Sequence, residues 1–493
     1  MKNSILLFTC LFLTFLVSCK VKNTDTKNKA PNIIIILADD MGYGDIVAYN
    51  SQAKVSTPYL DQLANEGMLF TDAHSPSAVC TPTRYGILTG RYSWRTRLKS
   101  GVLHPWELPL IEAEQETMAE MLRKAGYSTA AIGKWHLGWD WPVTDAAKPW
   151  SNNGGTVDYF QEVKGGPLAV GFDYYFGDDV PNYPPYAYIE NEHIVEAPTL
   201  DKPKDYYGLA GMMSPGWTLE AVMPRITKEA SDYILSQSKS QKPFFMYFAL
   251  TAPHTPIAPS EEFVGTSKAG KYGDFVQQVD WTVGQIVSAL EEAGLTEETL
   301  LVFTSDNGSP ARNGENYSGP VASVIADYGH AANGDYRGLK GDAWEGGHRV
   351  PFIVKWPGSI PKNSENTQLV SSLDLMATVR DLIGGEYEQN VSPDGLSFLP
   401  TLKDPSAPGR ESLVLHSHRG VFVYRKGPWK FIESNLSGGF SDGLNPDGYG
   451  IDTPGQLYNL EEDPGETSNR YSDFPDMVQE LTHELDSVRN LAN

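Results

Sequence analysis

Cysteine is nearly missing from this chain, with three in 493 residues. Cys10 lies inside an apolar run near the N-terminus, Cys19 follows that run, and only Cys80 lies beyond it. A folded body with one thiol cannot close an intrachain disulfide, even in an oxidising compartment that would permit one. Such a thiol is either an inert buried hydrophobe or a reactive group. Basic charge is also scarce. Lys and Arg total 39 against 62 Asp and Glu, a net charge of −23. That balance excludes general nucleic-acid binding, which needs basic surface to displace counterions. It also sits awkwardly with a polyanionic substrate, although a cleft can focus a field opposite to the net charge. No internal repeat or long low-complexity tract interrupts the sequence. Aromatics at 11% and hydrophobics at 40% exclude a disordered chain. The length suffices for two or three core-forming units, or for one large α/β domain with an appendage.

The N-terminus reads as an export signal. Lys2 supplies a positive start, and Ile5 to Val17 form an apolar run too short for the roughly 20 residues of a membrane span. The run ends in Leu16-Val17-Ser18-Cys19, which resembles a bacterial lipobox. The resemblance implies a signal peptide over 1–18, lipidation of Cys19, and a polar tether over 19–30. The protein would then be exported and lipid-anchored to a bacterial membrane, facing the periplasm or the cell surface. An ordinary cleaved signal peptide is the other reading. Lys20-Val21-Lys22 after the cysteine leans towards the periplasmic face.

Four apolar, β-rich runs each end in a polar cluster. Asn32 to Leu37 leads to Asp39-Asp40, Ser128 to Ile132 to Lys134 and His136, Pro243 to Leu250 to His254, and Leu300 to Thr304 to Asp306-Asn307. A fifth run, Val350 to Lys355, follows Lys340 and His348. Continuous apolar runs of this length suit strands buried on both faces. Helical segments alternate with them, from Pro58 to about Gly67, from Met118 to Gly126, from Val276 to Ala293 and from Leu373 to Ile383. This alternation predicts an α/β fold with a large doubly wound, mostly parallel sheet and helices on both faces. A loop-rich insertion is expected over about 139–216 within a catalytic domain at 31–386. From 387 to 493 short β-like runs and a final helix, about Asp476 to Leu491, predict a small antiparallel C-terminal subdomain with a packing helix.

In doubly wound folds ligands bind beyond the carboxyl ends of the strands, where all four polar clusters fall. Asp39, Asp40, Asp306 and Asn307 offer hard oxygen ligands of the kind that suits Ca²⁺ or Mg²⁺ and not zinc. A single Asp after a strand is more often a helix cap, but two clusters on two strands are less easily explained that way.

The segment Cys80-Thr81-Pro82-Thr83-Arg84, followed by Leu88-Thr89-Gly90-Arg91, resembles the signature of the type I, formylglycine-dependent sulfatases of the alkaline phosphatase superfamily. It is joined in order by Ala38-Asp39-Asp40-Met41-Gly42, Gly133-Lys134-Trp135-His136, Ala252-Pro253-His254, Ser305-Asp306-Asn307-Gly308 and Glu345-Gly346-Gly347, and later by Leu457-Tyr458-Asn459-Leu460 with Asp463-Pro464. The resemblance covers nearly all of the chain beyond the leader. It implies that a maturation enzyme oxidises Cys80 to formylglycine, and that Asp39, Asp40, Asp306, Asn307 and the modified Cys80 hold one Ca²⁺. The hydrated aldehyde would attack sulfur with one hydroxyl, with Asp306 as the nearby base. Arg84 and Lys134 would stabilise the nucleophile and the transferring group. His254 and Lys340 would bind sulfate, His254 would protonate the leaving alcohol, and His136 would help expel sulfate. His348 is divided evenly between substrate contact and structural support, and Arg337 and Asp335 are weaker candidates.

The expected activity is hydrolysis of sulfate esters on a carbohydrate, such as ulvan or another algal glycan or a glycosaminoglycan. The alternatives are a phosphonate monoester or phosphodiester hydrolase of the same superfamily, and a non-catalytic lipoprotein that binds sulfated glycans. Trp139, Trp141, Trp150, Tyr183, Tyr186 and His193 could stack on sugars, although packing is the commoner use of each. No basic cluster marks a long polyanion groove.

Overall fold

The computed structural model of the protein describes residues 30–144, 156–310, 324–384, 391–443 and 449–491. Cys19, nearly all of the expected leader and tether, and Trp150 lie outside them. Residues 31–493 form one compact unit.

The frame is a ten-stranded sheet. Its strands in chain order are β1 (Asn32–Asp39), β2 (Met68–Phe70), β3 (Ser128–Gly133), β4 (Tyr174–Gly177), β5 (Ile189–Glu190), β6 (His193–Ile194), β7 (Phe244–Pro253), β8 (Thr299–Ser305), β9 (Phe352–Lys355) and β10 (Ser364–Asn366). They lie side by side in the order β10-β2-β9-β8-β1-β7-β3-β4-β5-β6. The central strands β8, β1, β7, β3 and β4 run parallel. Alternation along β1 shows why its Ile-rich run is apolar at every position. Ile33, Ile35 and Leu37 enter the core on one face, while Ile34, Ile36 and Ala38 enter the core on the other.

Helices cover both faces. On one side lie α1 (Pro58–Glu66), α4 (Leu219–Gln237) and α5 (Gly270–Ala293). On the other lie α2 (Cys80–Thr89), α3 (Met118–Lys124) and α7 (Leu375–Ile383), with the short α6 (Glu345–His348) between α5 and α7 in the chain. The doubly wound architecture is thus as the strand–helix alternation predicts. Among the described residues no helix is long and apolar enough to cross a membrane.

Several elements depart from the sequence reading. The run ending at Lys355 is a strand, β9, but it pairs antiparallel with β8 and with β2. Full burial on both faces makes it apolar regardless of direction, so hydrophobicity could not report orientation. Helix α4 has no counterpart in the reading, because Pro224 lies inside it and its exposed face is polar. The insertion is not loops alone, since β4, β5 and β6 extend the main sheet from within it.

Towards the C-terminus a four-stranded antiparallel sheet forms from β11 (Ser412–His416), β12 (Phe422–Lys426), β13 (Trp429–Ile432) and β14 (Gln456–Asn459), with α8 (Pro475–Asn490) packed on it. Its cores are shared with the rest of the fold. Val414, Tyr424 and Leu457 pack with Tyr92, Trp94 and Leu373, and Leu415, Val423 and Tyr458 pack with Ala343 and Trp344.

Candidate active site

Four adjacent parallel strands, β8, β1, β7 and β3, end at one place. Asp39 closes β1 and Asp40 follows it, Lys134 and His136 follow β3, His254 follows β7, and Asp306 and Asn307 follow β8. The register between β1 and β7 breaks after Leu37, where Asp39 pairs with Pro253. Such an irregularity re-aims side chains, and Asp40 takes φ +68 just beyond it.

The Cys-x-Pro-x-Arg pattern has a local cause. Cys80 is the first residue of α2, and Pro82 falls in the first turn, where a missing N–H costs no helical bond. Arg84 lies four residues on, so Cys80 and Arg84 point from one face. Thr81 Oγ donates to the His136 carbonyl at 3.0 Å, and Thr83 Oγ donates to the Ser77 carbonyl at 3.0 Å. Gly90 ends α2 at φ +59, and a Cβ there would sit 2.0 Å from Ser392 Oγ. The Thr-Gly-Arg segment is therefore a left-handed helix cap under close contact.

The predicted residues meet in one buried cluster. Arg84 Nη2 donates to Asp306 Oδ2 at 2.8 Å and lies 3.5 Å from Asp39 Oδ1, while Arg84 Nη1 donates to the Lys134 carbonyl at 3.2 Å. Lys134 Nζ donates to Asp39 Oδ2 at 2.6 Å. Lys340 Nζ lies 2.5 Å from Asp40 Oδ1 and 3.5 Å from Cys80 Sγ. Asn307 Nδ2 donates to Asp40 Oδ1 at 2.8 Å, and the Asp40 amide donates to Asp306 Oδ1 at 3.1 Å. Three carboxylates thus face three cations.

The electrostatics follow from burial. Burial pushes the Asp306 carboxyl up to about 7, with Asp39 adding to the effect and Arg84 and Lys134 opposing it. Asp39 is held well below the usual range because Lys134, His254 and Arg84 outweigh its own burial. Burial pushes the Cys80 thiol up to about 12 against the pull of Lys134 and Lys340. An unmodified thiol here is a poor nucleophile at neutral pH, although it stands at a helix N-terminus. His254 is pushed down to about 4 by burial and by Lys340, and its Nε2 lies 3.7 Å from Asp40 Oδ2. His136 is held well below its ordinary value by burial, Lys134 and Arg84. Its Nε2 meets the Leu103 carbonyl at 3.0 Å, so Nε2 carries the proton and Nδ1 is left as a buried lone pair without a hydrogen bond.

The cluster fits a hard divalent cation. Asp39 Oδ1 and Asn307 Oδ1 are buried oxygens with no hydrogen-bond donor. The ligand atoms of Asp39, Asp40, Cys80 and His254 lie within 4.8 Å of one another. Orphaned oxygens among mutually repelling carboxylates are the surroundings such an ion relieves.

Above the cluster a cavity of about 520 Å³ is lined by Asp40, His254 and Lys340, and by Asn182, Tyr207, His418, Arg419 and Phe440. The first three were expected and the other five were not. Asn182 and Tyr207 come from the insertion, where local pattern was uninformative. His418, Arg419 and Phe440 come from the C-terminal sheet region, brought back over the strand ends by tertiary packing.

His348 does not line this cavity among the described residues. It is buried in a separate network, with Nδ1 3.0 Å from His74 Nδ1 and Nε2 3.1 Å from Lys430 Nζ. Glu345 and Glu466 both pair with Lys430 in that network, at 3.0 and 2.8 Å. These contacts match the structural-support half of the expectation for His348. Arg337 is structural too, donating to the Glu466 carbonyl at 2.7 Å and lying over Trp344. Of the aromatic candidates, Trp139, Trp141 and Tyr186 are core residues. His193 is exposed on β6, and Tyr183 lines a cavity wall, edge-on to His136.

Residues 31–385 match the family described as Sulfatase. The chain is 34% identical to an N-acetylgalactosamine-6-O-sulfatase of Bacteroides thetaiotaomicron, covering 95% of each protein. It is 30% identical to the N-acetylgalactosamine-6-sulfatase of Canis lupus familiaris, over 92% of this chain and 84% of that one. A solved sulfatase structure from the metabolism of multiple glycosaminoglycans by Bacteroides thetaiotaomicron superposes with a TM-score of 0.80 at 32% identity, covering 94% of this chain and all of that one. The chain belongs to the sulfatase family and is a sulfuric ester hydrolase.

Proposed function

We propose that this protein hydrolyses the 6-O-sulfate ester of N-acetylgalactosamine in sulfated glycans, with Cys80 as formylglycine and Ca²⁺ held by Asp39, Asp40, Asp306 and Asn307. The observation that carries the chemistry is the placement of Cys80 Sγ 3.5 Å from Lys340 and within 4.8 Å of His254, Asp39 and Asp40, beneath an open cavity. Support for the sugar comes from the two relatives described as acting on that group.

Hydrated formylglycine at Cys80 supplies an oxygen nucleophile whose second hydroxyl on the same carbon lets the esterified form be cleared. Ca²⁺ supplies positive charge that favours a deprotonated hydroxyl and draws sulfate oxygens. The chain's own residues do the rest. Lys340 and His254 line the cavity and bind the sulfate oxygens. Arg84 and Lys134 hold Asp306 and Asp39 in place and oppose the charge that builds on the transferring group. His254 is neutral at pH 7 while the cavity is free of substrate. An anionic ester beside it offsets both Lys340 and burial, so it takes up a proton as the ester binds and passes that proton to the leaving oxygen. The Nδ1 lone pair of His136 is the base that takes a proton when sulfate departs. Export and lipid attachment at Cys19 belong to the same proposal, as does modification of Cys80 by a separate maturation enzyme.

The test is sulfate release from N-acetylgalactosamine 6-sulfate, with the 4-sulfate and an aryl phosphodiester as comparators. His254→Ala should cost about 10²–10⁴-fold on the sugar ester, the usual worth of a general acid. It should cost far less on 4-nitrophenyl sulfate, whose leaving group needs no proton. A faster phosphodiester than sulfate reaction would overturn the proposal.

A further inference from the structure

A second cavity, of about 630 Å³, adjoins the first and has no part in the chemistry above. Its walls include His104, Tyr183, Lys204 and Leu209, together with Asn182 and Tyr207. Asn182 and Tyr207 also line the cavity that contains His254 and Lys340. The two cavities therefore share a partition made of one amide and one phenol. Both volumes fall in the range of roughly 300–1,000 Å³ seen for sites that bury most of a small ligand.

The partition is held firmly. The Leu209 amide donates to the Asn182 carbonyl at 3.0 Å. The Tyr186 hydroxyl spans the carbonyls of Leu209 and Asn182, at 2.6 and 3.1 Å, from a core position among Trp217, Leu219 and Val222. Gly208 lies between at φ +130, where a Cβ would come within 2.6 Å of that hydroxyl, so this close approach requires glycine. On this pinned backbone Tyr207 and Leu209 remain 39% and 43% exposed. Large apolar side chains fixed at a cavity mouth mark a surface that meets a ligand. Lys204 adds an ammonium on the same wall, and it takes part in no ion pair or hydrogen bond among the described residues. Asp205 lines the same cavity, and its carboxylate acts on Lys202.

We propose that this cavity is a glycosyl subsite for the sugar residue joined to the sulfated one. That residue stacks its ring face on Tyr207, and its carboxylate, that of a uronic acid, pairs with Lys204. An aromatic ring suits the C–H face of a sugar, and an unpaired ammonium in a chain of net charge −23 suits an anion presented beside it. The sulfate would lie in the first cavity and the linkage would cross at Asn182 and Tyr207. The inference rests on the sulfated-glycan hydrolase reading above.

The experiment compares four substrates: 4-nitrophenyl sulfate, N-acetylgalactosamine 6-sulfate, and that sugar carrying either a uronic acid or a neutral hexose as its neighbour. The wild type should favour the uronate disaccharide over the monosaccharide by at least about tenfold in kcat/KM. Lys204→Gln should bring the uronate disaccharide down to the level of the neutral one, about tenfold, the worth of one hydrogen bond to a charged group. Turnover of 4-nitrophenyl sulfate should stay unchanged in Lys204→Gln. Equal kcat/KM for the monosaccharide and both disaccharides overturns the subsite, as does a Lys204→Gln loss shared by 4-nitrophenyl sulfate. A wild type that hydrolyses none of the four refutes the hydrolase reading. In that event the Kd of Cys80→Ser protein still decides the subsite, since it should be tighter for the uronate disaccharide than for the neutral one.

Discussion

Lys134→Met keeps an apolar stem of similar length and deletes one charge from the cluster under the cavity. In the wild type Asp39, Asp40 and Asp306 are balanced by Arg84, Lys134 and Lys340. Without Lys134, the Asp39 carboxylate loses its 2.6 Å partner while remaining fully buried. Leaving one member of a buried pair uncompensated costs about 3–5 kcal/mol. With about 2.1 cal/mol/K of unfolding entropy per residue, a chain of this size loses roughly 1 °C per kcal/mol. The variant should therefore melt about 3–5 °C below the wild type in EDTA. Millimolar Ca²⁺ should close most of that gap, because a site one unit more negative holds a dication more tightly. Turnover should nonetheless fall by about 10²–10³-fold, the usual effect of removing one preorganised charge contact. Thermal unfolding with and without Ca²⁺, alongside kcat on 4-nitrophenyl sulfate, checks all three effects. A melting loss of equal size in EDTA and in Ca²⁺ would refute the charge-balance reasoning.

Cys80→Ser should abolish turnover and leave the circular dichroism spectrum unchanged, and substantial residual activity would contradict the role of the modified residue. Gly90→Ala should destabilise the protein by about 1–2 kcal/mol from its φ of +59 alone, and by more from the Ser392 contact, as a lower denaturant midpoint. A midpoint equal to the wild type would show that the cap has room to relax. Burial, with Glu345 beside it, pushes the Glu466 carboxyl from its ordinary 4.5 up to about 7 against the pull of Lys430. Between those values the folded state holds more protons than the unfolded one, so this group's contribution to stability falls as pH rises from 4.5 to 7 and is level above. Glu466→Gln mimics the protonated form, and urea midpoints at pH 5 and pH 8 should differ less in the variant. An unchanged difference would mean that Glu466 is already ionised in the folded protein.

Part of the buried cluster was legible because Asp39, Asp40, Lys134, His254, Asp306 and Asn307 sit at or just past the ends of apolar strands. Ile33 to Leu37 announce a buried strand, and Asp39 and Asp40 are then polar where the strand must end. The same logic places Lys134, His254 and Asp306. The resemblance around Cys80 added the chemistry, which spacing alone did not supply. The walls were not legible in the same way. Arg419 and Phe440 belong to a sheet region far along the chain from Cys80, and tertiary packing such as that of Leu415 and Tyr458 with Trp344 and of Val414 with Tyr92 brings that region near. His348 stood between two roles in the sequence because a single histidine carries no sign of its tertiary neighbours, and its contacts with His74 and Lys430 come from distant segments. Pro224 hid α4 because a proline breaks most helices, and the packing of Met223, Ile226, Ala230 and Ile234 against the sheet overrides it here.

The depth of Cys80 carries a consequence for the order of events during synthesis. The residue is 2% exposed, beneath cavity walls that include His254, Lys340, His418, Arg419 and Phe440. A ribosome delivers α2 long before it delivers those walls. If Cys80 is converted to formylglycine as proposed above, the enzyme that does so would have to reach it on the nascent or still unfolded chain, before the fold closes over it. Under that proposal chain growth would act as the clock, and a copy that folded before modification would keep an idle thiol.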